Sequence, residues 1–176
     1  IHNVVPDIIT IGKPLGNGHP IGAVVCTKDI AESFANGMEF FNTFGGNPVS
    51  CSIGTEVLRF IKKEKLQDNS RFIGDYFKGE LIKLSKHYNI IGDVRGKGLF
   101  LGIEFVDRNM NPLMEETVYI VNRLKKYGIL SSVDGPDNNV IKIKPPLTFN
   151  KHNCDMFIHY LRKILNEDFL NSKYYE

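Results

Sequence analysis

Pro6-Asp7-Ile8-Ile9-Thr10-Ile11-Gly12-Lys13-Pro14-Leu15-Gly16-Asn17-Gly18-His19-Pro20 is the stretch from which the rest of the chain is read. Ile8 to Ile11 is short, apolar and rich in β-branched residues, the composition of a buried strand. Gly12 breaks the run, and Lys13 follows at the strand's exit, where open α/β sheets place their ligands. Pro14 has no N–H to give to a ladder and stops the strand. Gly16-Asn17-Gly18 offers the positive-φ positions of a tight turn, and Ile21 to Thr27 resumes as a second strand. One lysine is thus expected on a rigid turn between two buried strands. Desolvation there can depress an ammonium pKa from its usual ~10.4 and yield an amine that forms a Schiff base. A solvated lysine on a surface hairpin is equally consistent with these residues. A phosphate-gripping P-loop is not, because its lysine follows the glycines, whereas Lys13 precedes them.

Composition sets outer bounds. The chain has 176 residues, of which 42% are hydrophobic and 24% charged, enough for one core or two small ones. A formal charge of +2 gives no argument for nucleic acid or for an anionic membrane. No apolar run is long enough to span a bilayer, and no signal peptide is expected from these residues. Cys26, Cys51 and Cys154 are odd in number and far apart, which fits a reduced intracellular compartment. The five histidines form no His-x-x-x-His pair, and His152 and His159 read as surface residues two turns apart on one helix, so no metal site is expected.

Further along, Lys28 to Asn36 reads as a short helix with Asp29 in its first turn. Gly45-Gly46 allows a close backbone approach, Asn47 is a helix cap, and Pro48 takes the first helical position. Thr43 therefore stands just before a helix N-terminus, a favourable place for a phosphate, although a turn hydroxyl is the simpler local reading. Val49, Ile53, Val57 and Ile61 form one stripe of that helix. Asp68-Asn69-Ser70 offers the cap of a long helix from Phe72 to Tyr88, with Ile73, Phe77, Leu81 and Leu84 inward, expected to bridge two domains. Ile90 to Arg95 and Leu99 to Val106 read as strands around Gly96-Lys97-Gly98. In the second, Leu99, Leu101, Ile103 and Phe105 alternate with outward residues. Arg95 and Lys97 are either an anion site or solvated turn residues. A helix is expected over Glu115 to Tyr127 through Val118, Val121 and Leu124, ended by Gly128. Short strands follow at Ile129 to Ser132 and Val140 to Ile143, separated by a turn cluster, Asp134 to Asn139. Asn150 caps a last helix with Phe157, Leu161 and Ile164 inward, and Asn166 to Glu176 reads as a loose tail.

Four segments carry a family resemblance. Pro6 to Gly22 resembles the cofactor-lysine segment of class III aminotransferases, which use pyridoxal 5'-phosphate. Asn42-Thr43-Phe44-Gly45-Gly46-Asn47-Pro48 resembles the family's second signature, and Gly92-Asp93-Val94-Arg95-Gly96-Lys97-Gly98-Leu99 and Lys142-Ile143-Lys144-Pro145-Pro146-Leu147 continue the likeness. Within the family the chain is similar to the alanine–glyoxylate aminotransferase 2-like branch, which contains ethanolamine-phosphate and phosphohydroxylysine phospho-lyases. The resemblance implies an α/β fold, the C-terminal part of a fold-type I pyridoxal-phosphate transferase. Residues 1–70 would end the large mixed-sheet cofactor domain, 71–89 would be the connecting helix, and 90–176 the small α/β domain.

It also implies roles. Lys13 would be the Schiff-base lysine and general base. Thr43 would reach the cofactor phosphate of the neighbouring subunit, in a homodimer or a tetramer built from it. Lys142 falls three residues before Pro145-Pro146, where many family aminotransferases have an arginine that grips the substrate carboxylate bidentately. A lysine offers a point charge there, which suits a phosphate better than a carboxylate plane. The departure, together with Leu130-Ser131-Ser132-Val133-Asp134-Gly135-Pro136, favours elimination of phosphate from a phosphorylated amine over amino transfer. Amino transfer to glyoxylate or pyruvate is the alternative, and a non-catalytic binding module is the alternative of another class. Family members are more than twice as long and this chain begins at Ile1 without methionine, so it is expected to be the C-terminal part of a subunit. The residues contacting the pyridine ring would then lie upstream. A mitochondrial and a cytoplasmic location both fit.

Overall fold

The structure is a computed structural model that describes residues 3–171. It divides into two compact units between Glu64 and Lys65. The first holds strands β1 (Ile8–Ile11) and β2 (Ala23–Cys26), joined through a one-turn 3-10 helix at Lys13–Gly16, then helices α1 (Lys28–Phe34) and α2 (Pro48–Lys63). The strands pair antiparallel, Ile8 opposite Cys26 and Ile11 opposite Ala23. The expected burial of this hairpin is not found: Ile8 is 52% exposed and Val24 67%. A two-stranded ribbon has two faces and no layer of its own to cover them. α2 starts as the sequence indicates, with the Asn47 side chain accepting from the Ser50 N–H and Pro48 in the first turn. Its stripe is half-buried at Ile53, Val57 and Ile61 and exposed at Val49.

The second unit is an antiparallel sheet in the order β3-β4-β6-β5: β3 (Ile91–Lys97), β4 (Phe100–Phe105), β5 (Ser132–Asp134) and β6 (Val140–Ile143). Helices α3 (Leu66–Ser85), α4 (Met114–Lys126) and α5 (Lys151–Leu165) supply its apolar layer, and a short α6 (Asp168–Asn171) follows. The β4 alternation holds: Leu101, Ile103 and Phe105 are buried with Phe77, Leu81, Ile120, Leu124, Ile141 and Leu161, while Phe100 faces out. Each such side chain contributes about 1.5–3 kcal/mol on leaving water. α5 is closed by a reciprocal capping box between Asn150 and Asn153, and Phe157, Leu161 and Ile164 point inward as expected.

Four expectations are corrected. α3 begins at Leu66, six residues before the expected start, after Lys65 at φ +51 and without a side-chain cap. Asn69 and Ser70, taken for caps, act as tethers. Asn69 Nδ2 donates to the Leu147 and Phe149 carbonyls at 2.8 and 3.0 Å, and Ser70 Oγ accepts from the Leu99 N–H at 3.2 Å. β5 starts at Ser132, not Ile129, because the Ile129 N–H is already spent on the Leu124 carbonyl in the turn that Gly128 (φ +78) makes after α4. The core face of α4 is Thr117, Ile120 and Leu124, and Val118 is exposed. Part of the expected loose tail is held: Glu167 accepts two bonds from Arg123 Nε and one from Tyr119 Oη, and Leu170 is buried. The rest of that tail, residues 172–176, lies outside the described residues. Among the described residues no helix is long and apolar enough to cross a membrane, and no cluster of metal-ligating side chains occurs.

Candidate active site

Lys13 itself adopts φ +43, in the left-handed region that a non-glycine residue enters at a cost of about 1 kcal/mol or more. The sequence places the positive-φ positions at Gly16-Asn17-Gly18. Asn17 (φ +47) and Gly18 (φ +104) agree, but Gly16 does not. Gly16 is needed for space: a Cβ there would stand 2.7 Å from Ile21 Cγ2. Across the same side chain, a Cβ on Gly54 of α2 would stand 3.1 Å from Ile21 Cδ1. Ile21 is therefore wedged between the lysine turn and α2, and Leu15 and Gly16 are buried. Three backbone bonds complete the turn, from Leu15, Asn17 and His19 to the carbonyls of Gly12, Pro14 and Gly16. The backbone beneath Lys13 is over-determined, while its side chain is exposed among the described residues. Backbone strain of this kind persists only where the surrounding structure fixes it.

Thr43 lies in a loop built by two asparagines. Asn42 Oδ1 accepts from the Phe44 and Gly45 N–H groups at 3.1 and 2.8 Å. Asn47 Nδ2 donates to the Phe44 carbonyl at 2.7 Å. A Cβ on Gly45 would meet Asn42 Cγ at 3.0 Å, and Gly46 has φ +70, so the two glycines have separate reasons to be there. Thr43 is exposed, at the tip of this loop before α2, in the position that suits an anion. His19 joins the two elements: its Nε2 lies 2.8 Å from Ser50 Oγ on α2.

Lys142 stands in the second unit, on the face of the sheet that α3, α4 and α5 do not cover. The register puts Arg95 opposite Gly102, Gly102 opposite Lys142, and Lys142 opposite Ser132. Arg95 is paired with Asp93 at 2.9 Å and with Glu104, and Lys97 is exposed. Lys142 is not simply solvated: its Nζ pairs with Asp134. The Lys142 ammonium, and after it the Gly135 N–H, hold the Asp134 carboxyl below the usual carboxylate range. Lys142 borders a cleft of about 350 Å³ with Ser131, Ser132, Lys144 and Phe149. The Ser131 hydroxyl there is buried without a hydrogen-bond partner among the described residues.

Lys13 and Thr43 thus share one unit, on elements tied by a hydrogen bond, and Lys142 belongs to the other unit. His19, Ser50 and Asp134 were not singled out from the sequence. Asn47-x-x-Ser50 carries the spacing of a helix cap and signals Ser50, but nothing local joins it to His19, 31 residues away.

The class III aminotransferase family model matches residues 1–165. An alanine–glyoxylate aminotransferase 2-like protein of Drosophila melanogaster is 48% identical over 93% of this chain and 34% of its own length. Alanine–glyoxylate aminotransferase 2 homolog 2, mitochondrial, of Arabidopsis thaliana is 48% identical over 89% of this chain and 33% of its own length. Among solved structures, an Arthrobacter phospholyase in complex with phosphoethanolamine superimposes with a TM-score of 0.89 at 40% identity, over 93% of this chain and 39% of that one. The chain therefore spans about a third of the length of the curated relatives it matches.

Proposed function

Because the chain belongs to the class III aminotransferases, a family that depends on pyridoxal phosphate, we propose that it forms part of an enzyme in which Lys13 holds that cofactor as a Schiff base. The observation that carries this is the Lys13 turn: a left-handed, non-glycine residue locked against α2 with its amine exposed. The residues fit the group. Lys13 Nζ would join its aldehyde, and the Thr43 hydroxyl with the glycine loop before α2 would take its phosphate, from the neighbouring subunit of a homodimer. Lys13 would also be the general base that removes the proton from the carbon bearing the amine. The bound cofactor supplies the sink for the electron pair released there.

We infer further that the substrate is a phosphorylated amine, ethanolamine phosphate or phosphohydroxylysine, and that phosphate leaves from the adjacent carbon, the resulting enamine then being hydrolysed by one water to an aldehyde and ammonia. Two things support this: the likeness to the Arthrobacter phospholyase, and Lys142, a point charge where a carboxylate-gripping arginine stands in many aminotransferases. The mitochondrion and the cytoplasm both remain consistent locations. The test is parallel assay of the complete enzyme for phosphate and ammonia release from both amines and for alanine–glyoxylate exchange. Phosphate and ammonia in equal amounts with little exchange is the expected result. Brisk exchange without phosphate release would overturn the lyase assignment and leave the aminotransferase.

A further inference from the structure

The geometry points to Ser131 as a substrate-binding residue: its buried hydroxyl, with Lys142 and Lys144, holds the substrate's phosphate in the cleft where β5 and β6 part. The inference rests on the reading, given above, that the substrate is a phosphorylated amine whose phosphate meets Lys142. The ladder between β5 and β6 ends at Ser132 opposite Lys142. Ser131 stands one residue beyond that end, and the chain before it turns away, the Ile129 N–H being committed to the Leu124 carbonyl at 3.0 Å. On the other side Ile143 leads into Lys144 and Pro145. The cleft of about 350 Å³ opens between these two segments, with Phe77, Phe149 and Phe157 among its apolar walls.

The lining selects an anion. Its charged residues are Lys142 and Lys144, and no carboxylate borders it among the described residues. A cleft lined by one sign of charge over apolar walls concentrates its field and draws in the opposite charge. Lys142 shares its ammonium with Asp134, whereas Lys144 is exposed and has no carboxylate partner among the described residues. The Ser131 oxygen is buried with its hydrogen-bonding capacity unused. Burying a hydroxyl in that way costs free energy, which an arriving acceptor restores. A phosphate carries several acceptor oxygens, more than a shared ammonium serves. The Ser131 hydroxyl can donate to one of them while the two ammonium groups meet the others.

The test uses the complete, cofactor-loaded enzyme, in which the cofactor's own phosphate site is filled. Wild type, Ser131→Ala, Ser131→Cys and Lys142→Ala are titrated with inorganic phosphate and with ethanolamine, which lacks the phosphate, and assayed with ethanolamine phosphate. Ser131→Ala should bind inorganic phosphate about tenfold more weakly, the worth of one hydrogen bond to a charged group. Its KM for ethanolamine phosphate should rise in proportion with kcat little changed, the mark of an interaction made equally before and during reaction. Ser131→Cys keeps the size but donates poorly, and should lose nearly as much. Ethanolamine affinity should stay within about twofold. Without phosphate present, the melting temperature of Ser131→Ala should equal or exceed that of the wild type, because an unpartnered buried hydroxyl has been removed. A lower melting temperature, equal losses for phosphate and ethanolamine, or full affinity in Ser131→Cys would make the hydroxyl a structural group satisfied elsewhere and overturn the proposal. Unchanged phosphate affinity in Ser131→Ala with a loss in Lys142→Ala overturns it while leaving the Lys142 reading intact. No loss in either variant overturns that reading as well.

Discussion

Two glycines of α3, five residues apart, should respond to the same substitution with opposite sign. A Cβ on Gly74 would stand 2.1 Å from the Gly98 carbonyl oxygen and 2.6 Å from Gly98 Cα; a Cβ on Gly79 would meet nothing within 4 Å. Carbon–oxygen contact needs roughly 3.5 Å, so Gly74→Ala forces α3 and the β3–β4 turn apart by more than an ångström. Both sides of that contact are backbone, so no flexible side chain can yield. The displacement also strains the Ser70–Leu99 bond, which fastens the same turn. Overpacking of this kind costs about 3 kcal/mol, the upper part of its usual span, partly offset by ~1 kcal/mol of better helix propensity. Gly79→Ala should keep the propensity gain alone, about 0.4–1 kcal/mol. Denaturant unfolding of the complete subunit should separate the variants by roughly 3 kcal/mol, with the wild type between them. Equal stability of the two would refute the close approach of α3 to the Gly96-Lys97-Gly98 turn.

Other consequences are open to direct measurement. Burial pushes the Cys154 thiol up to about 11, so in native enzyme it should be the last cysteine to react with a thiol reagent, and it should react promptly on unfolding. The Arg123 guanidinium, and after it the Tyr119 hydroxyl, hold the Glu167 carboxyl below its usual 4.5. A lowered folded value means stability that is present above about 4.5 and lost as pH falls through the folded value. Glu167→Gln should therefore destabilise at pH 7 and approach the wild type as pH falls through the folded value, below 4.5; a penalty independent of pH would contradict the pairing. Mixed dimers of Lys13→Ala and Thr43→Ala subunits should recover activity that neither homodimer has, provided subunit exchange is verified; no recovery would refute sharing of sites.

The second unit was the more legible in sequence because it contains its own core. Leu101, Ile103 and Phe105 alternate in the sequence and are buried in the structure, against Ile120, Leu124 and Leu161 from within the same unit. The hairpin was misread for the converse reason. Ile8 to Ile11 has the composition of a buried strand, yet nothing among the described residues covers it. Composition records what a segment requires and not which layer supplies it. Asn69 and Ser70 show a second limit: their side chains suit a helix cap, but their partners, Leu147, Phe149 and Leu99, are distant in sequence. In the candidate site, Lys13, Thr43 and Lys142 are proposed from motifs. The left-handed backbone of Lys13 and its tether through His19 were not legible in sequence, because both depend on how the turn packs on α2. Asp134 was legible as a turn residue but not as the partner of Lys142, which the β5–β6 register brings beside it.

The most direct test of the account is to find which lysine of the complete enzyme carries the cofactor. The holoenzyme is reduced with borohydride, digested, and the pyridoxyl-labelled peptide sequenced. The account predicts a single label on Lys13, in the peptide containing Ile11-Gly12-Lys13-Pro14, and no label after reduction of Lys13→Ala, although that variant still binds cofactor. A label on any other lysine, or a reducible link that survives in Lys13→Ala, would contradict it.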